Sequence, residues 1–117
     1  MGSTFEPFAV FDAPKTVFRE HPIVREQLEL TAESDLDLKP GAVLVIKNGV
    51  ASLATDSISI DDVVGVLFGP VKLNATEKTS TVLVWHGDIV KDQVTVAEGA
   101  NVDTIAAVLN KKGLYIR

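Results

Sequence analysis

The stretch Lys39-Pro40-Gly41-Ala42-Val43-Leu44-Val45-Ile46-Lys47-Asn48-Gly49-Val50-Ala51-Ser52-Leu53-Ala54 decides the fold. Pro40 fixes φ and Gly41 tolerates positive φ, so the segment begins with a turn. Ala42 to Ile46 is apolar without alternation, the pattern of a strand buried on both faces. Asn48-Gly49 supports a tight hairpin turn, and Val50 to Ala54 returns along the first strand.

Downstream, Asp61-Asp62 precedes the apolar run Val63 to Phe68, which Gly69-Pro70 closes. Val71-Lys72-Leu73 leaves that turn, and Asn74 to Ser80 reads as polar loop. Thr81-Val82-Leu83-Val84-Trp85 predicts another buried strand, with a turn at Gly87-Asp88. Ile89-Val90 and Val94-Thr95-Val96 read as extended chain. The one helix the sequence predicts comes late: Val102, Ile105, Ala106 and Leu109 share a face at helical spacing. Asn101 or Asp103 can cap its start, Lys111 and Lys112 suit its negative end, and Gly113 suits the position after it. Leu114-Tyr115-Ile116 closes the chain as a short strand. Short strands separated by turn signals, with one late helix, predict a mainly β (α+β) domain of compact barrel or sandwich type over residues 23–117.

Upstream, the segment Val24 to Leu30 ends in apolar/polar alternation and predicts a half-buried strand. Glu26, Glu29, Glu33, Asp35 and Asp37 make this region acidic, which reads as a solvated face. Residues 1–22 differ in kind. Phe5, Phe8, Phe11 and Phe18 crowd there without core periodicity, and Pro7, Pro14 and Pro22 bias their neighbours toward extended backbone. The expectation is an extended N-terminal arm whose four rings contact a partner; the competing expectation is that the rings cap the protein's own sheet.

The 117 residues suffice for one domain, and 46% apolar with 23% charged residues is the balance of a folded globule. No cysteine is present, which removes disulfides and thiolate metal sites. A net charge of −5 with no basic run disfavours nucleic acid, whose binding draws on neutralised phosphates. The longest nearly apolar stretch, Val63 to Val71, is under half the roughly 20 residues of a membrane span. The first residues lack a basic leader and an apolar signal core, so a cytoplasmic protein is expected.

Chemistry is sparse. His21 and His86 are the two histidines, and neither has metal-ligand spacing to the other. Asp61-Asp62 is the one conspicuous carboxylate pair, yet neighbours on extended chain point to opposite faces and a turn accounts for them. Asn74-Ala75-Thr76 matches a glycosylation sequon, read as chance. No phosphate-binding glycine pattern occurs, and no serine or threonine has an adjacent base. The chain therefore reads as no enzyme, with no cofactor and no metal.

One ordered set of segments resembles the head decoration (capsid-cementing) proteins of tailed bacteriophages. Leu38-Lys39-Pro40-Gly41-Ala42-Val43-Leu44 resembles that family's Leu-x-x-Gly-Thr-Val-Leu opening, and Arg25 to Leu30 the strand before it. Val64-Gly65-Val66-Leu67 matches its x-Gly-Ile-Leu strand. Val84-Trp85-His86-Gly87-Asp88-Ile89-Val90 is similar to its Val-x-Arg-Gly-x-Val hairpin. Ala107-Val108-Leu109 and Gly113-Leu114-Tyr115-Ile116 resemble its closing helix and strand. Ala42 stands where Thr is common, Val45 where Gly often follows, and His86 where Arg is usual. The resemblance covers about residues 24–117 and implies a β-tulip domain with no catalysis. It also implies a homotrimer on the outer surface of an expanded virion head, assembled in the host cytoplasm and bridging major capsid protein subunits. An arm that orders against the capsid is implied as well. A small β-barrel adaptor, or a ring subunit like those of co-chaperonins, is the alternative from another class.

Overall fold

Successive residues of the deciding hairpin face two different apolar clusters. In the computed structural model, which describes residues 17–18 and 23–117, Leu44 and Ile46 belong to one cluster and Val43 and Val45 to the other. That explains the uninterrupted apolar run: the strand is a wall between two cores. The strands are β1 (Val24–Ala32), β2 (Leu36–Leu38), β3 (Val43–Lys47), β4 (Val50–Leu53), β5 (Val63–Leu67), β6 (Val71–Leu73), β7 (Thr79–Ile89) and β8 (Leu114–Ile116). A 3₁₀ turn at Lys91–Gln93 and the helix α1 (Val102–Lys111) lie between β7 and β8.

Five strands close on themselves in the order β1-β4-β3-β5-β7, with β7 pairing back to β1 from Arg25↔Val84 to Leu30↔Thr79. The β1–β4 contact is parallel, and the other barrel pairings are antiparallel. A barrel this narrow has no lumen and is filled by side chains. Leu30, Leu44, Ala51, Leu67 and Leu83 fill it, joined by Leu38 and Leu73 from the β2–β6 ribbon. The second cluster lies outside the wall. Val43, Val45, Val64, Val66 and Val84 face outward and are covered by Ile105 and Leu109 of α1 and Leu114 of β8. Leucine thus predominates in the interior, and β-branched valine predominates on the wall that the helix covers.

The local expectations are largely met. The β3–β4 hairpin has Lys47 opposite Val50, with Asn48 at φ 55° and Gly49 at φ 79°, the double positive φ of a primed turn. Asn101 is the helix cap, its side chain accepting from the N–H groups of Asp103 (2.8 Å) and Thr104 (3.4 Å). Glu26, Glu29, Glu33, Asp35 and Asp37 are all exposed, as a solvated face requires.

Two calls change. Gly87-Asp88 is not a turn: β7 runs straight through it, and Gly87 pairs with Leu114 of β8 in parallel. The glycine is needed for close approach, because a Cβ there would lie 2.6 Å from the Cγ2 of Ile23. Leu36–Leu38, hidden in the acidic stretch, is a strand that pairs with β6. The extended segment around Thr95 makes only a single bridge, to Ala42.

Gly41 sits where the turn must cross Gln93 at φ 98°, and a side chain there would overlap the Gln93 carbonyl. Gly49 has open space around it. Gly49→Ala should therefore cost about 1–2 kcal/mol, the left-handed backbone penalty alone. Gly41→Ala should cost more, because the chain must also move. Urea unfolding midpoints of the two variants check the ranking, and equal losses would contradict it.

Candidate functional site

Of the four arm phenylalanines, Phe5, Phe8 and Phe11 lie outside the described residues. Phe18 does not, and its position corrects the expectation that it contacts a partner. It is 4% exposed and sits in the outer cluster, with its ring centroid 5.6 Å from that of Phe68. The Arg25 guanidinium covers the Phe68 ring at 4.6 Å from the centroid. Backbone contacts hold the same point: Phe18 bridges Ile89, and the Val90 N–H donates to the Val17 carbonyl at 2.6 Å. Val17, also 4% exposed, packs beside Gly41. Two residues of the expected arm, Val17 and Phe18, are thus packed into the domain core. For Phe18 the competing expectation, a ring capping the protein's own sheet, is the right one. Burial overrides the missing periodicity because two residues joined by backbone bridges need no periodic pattern.

The other singled-out residues have structural explanations. Asp62 Oδ2 accepts the Ser59 N–H at 2.9 Å, closing the turn before β5, while Asp61 beside it is exposed. Asn74 Oδ1 accepts the N–H groups of Thr76 (2.9 Å) and Glu77 (2.7 Å), so the sequon is a loop-forming turn. His86 lies edge-on to the Tyr115 ring at 6.0 Å and packs over Gly113, whose added Cβ would meet Nδ1 at 2.6 Å. His21 lies outside the described residues. Among the described residues no group of three or more His, Asp or Glu is placed to hold a metal, and no helix is long and apolar enough to cross a membrane.

One surface feature escaped the sequence reading. Trp85 is half-buried, with its ring edge stacked over Gly65, where an added Cβ would meet it at 3.1 Å. Its Nε1–H donates to Glu26 Oε1 at 3.0 Å. Beside it a shallow groove of about 490 Å³ is lined by Ile60, Asp61, Asp62, Val63 and Lys112. Val63 is 52% exposed and Ile60 47%. The signal was present in the two carboxylates directly before an apolar run: they mark where that run leaves the core for solvent.

No protein-family model matches the chain, and no curated protein matches it either.

The placement of Phe18 has a measurable consequence. Phe18→Ala should destabilise the domain by about 3–5 kcal/mol, as large-to-small changes at buried aromatic positions do. Arg25→Ala removes an exposed cation–π contact and should cost about 0.5–1 kcal/mol. Thermal or urea unfolding of both variants checks this, and a Phe18→Ala protein as stable as its parent would return Phe18 to the arm.

Proposed function

We propose that this chain is a capsid decoration protein. In this reading it is structural and not catalytic, and it seats as a homotrimer on the outside of an expanded phage head and bridges major capsid protein subunits. The ordered resemblance over residues 24–117 suggests the assignment. The observation that carries it physically is the closed barrel with residues 17–18 pinned to its wall. Closure uses up the lateral edges of the barrel strands over their paired lengths, so the barrel wall offers little free backbone for a partner strand. A protein of this shape clamps neighbours best by carrying an extended segment to them. The segment upstream of Val17, with Phe5, Phe8 and Phe11, is the one with the composition for it.

The energetics set how it would bind. Ordering backbone costs about 1–2 kcal/mol per residue. Each buried ring returns about 1.5–3 kcal/mol, so rings alone do not offset the ordering of residues 1–16. Addition of the segment as a strand to a sheet edge on the capsid subunit would supply the missing backbone hydrogen bonds. Three such segments on one trimer raise the effective concentration of each, which suits a cement.

Deletion of residues 1–16, which spares the pinned pair, should leave the melting temperature nearly unchanged. It should weaken cosedimentation with expanded heads at least tenfold, or about 1.4 kcal/mol. Full head binding by the truncated chain would refute the arm's role. Sedimentation of the free protein separates the classes: a trimer fits decoration, whereas a heptamer fits a ring subunit.

A further inference from the structure

We infer that the groove beside Trp85 is a second docking site for the capsid subunit, one that takes an aliphatic side chain carried next to a lysine or arginine. This rests on the decoration reading and adds to it a contact that does not involve the arm. Val24, Ile60 and Val63 are the large apolar side chains found exposed among the described residues. Ile60 and Val63 line this groove together with Trp85. Exposed apolar side chains that gather around a half-buried tryptophan are typical of a protein contact rather than of ordinary surface.

The floor is held in place before any partner arrives. Glu26 fixes the indole nitrogen, and Gly65, lacking a side chain, leaves room for the ring edge over β5. The opposite rim is also tied, because Lys112 Nζ donates to the Ile60 carbonyl at 2.6 Å. A site whose walls are already fixed loses little freedom on binding.

Charge selects the occupant. Asp61 and Asp62 line the groove against the single cation Lys112. Asp62 is engaged by Ser59, and Asp61 has no hydrogen bond or ion pair among the described residues. Two copies meeting through this face about a two-fold axis would set these carboxylates against one another on a chain that already carries −5. A basic residue flanking an apolar one complements the rim instead.

Cosedimentation of the full chain with expanded heads tests this, run beside sedimentation velocity of the free protein. Ile60→Asp with Val63→Asp places charge in the groove at positions already open to water, so melting temperature and oligomeric state should be retained. Head binding should fall at least tenfold. Asp61→Asn should change affinity only a few-fold while flattening its dependence on salt. If the double variant fails to fold, Ile60→Ser, which lies outside any strand, takes its place with the same expected direction. Unchanged binding by a folded variant overturns the inference and leaves the decoration reading intact. A change in oligomeric state overturns it in favour of a contact between copies. A parent chain that does not bind heads removes the decoration reading, and the inference with it.

Discussion

The pairing of β7 with β1 is the constraint on which the rest of the structure depends. Six registered residue pairs from Arg25↔Val84 to Leu30↔Thr79 join the first strand of the domain to its longest one. Without them the five strands would form an open sheet with one apolar face too many. With them the sheet has an inside, filled by leucine and alanine, and an outside that still carries a row of valines. The helix, β8 and residues 17–18 exist to cover that row. A barrel with a covered flank is an arrangement that satisfies strands apolar on both faces.

Closure also explains why β7 overshoots. Its first part seals the barrel, and its last part, Gly87 to Ile89, leaves β1 behind and takes β8 in parallel on one side. At Ile89 it bridges Phe18. Phe18 and Arg117 therefore meet on the same strand extension: Arg117 donates its backbone N–H to the Ile89 carbonyl, and Lys91 donates its own to the Arg117 carbonyl. A load applied upstream of Val17 would enter the domain at this joint. It would be shared among Phe18, Phe68 and the backbone of β7 rather than taken by a hinge.

The strands that wall the two cores were legible in the sequence because unbroken apolar runs and turn residues are local signals. Ala42 to Ile46, Asn48-Gly49 and the capped helix at Asn101 all stand where the residues put them. Gly87 was misread because a glycine demanded by tertiary contact, here with Ile23, looks the same in sequence as one demanded by a turn. Leu36–Leu38 was lost for a related reason: a three-residue ribbon strand is too short to impose a period on the acids around it. Phe18 was misassigned because burial through a single bridge leaves no pattern in the chain. The groove at Trp85 was missed because exposure at the end of an apolar run is decided by where the barrel stops, which is a property of strand length and register together.

In the proposed function the segment upstream of Val17 binds the capsid while the barrel acts as a rigid seat for it. Amide hydrogen exchange, followed for the free protein and for the protein on expanded heads, tests it most directly. This reading predicts a large gain of protection on binding across the amides of residues 1–16, with little change in the interior strand β3. Head-bound protein in which residues 1–16 gain no protection would contradict it.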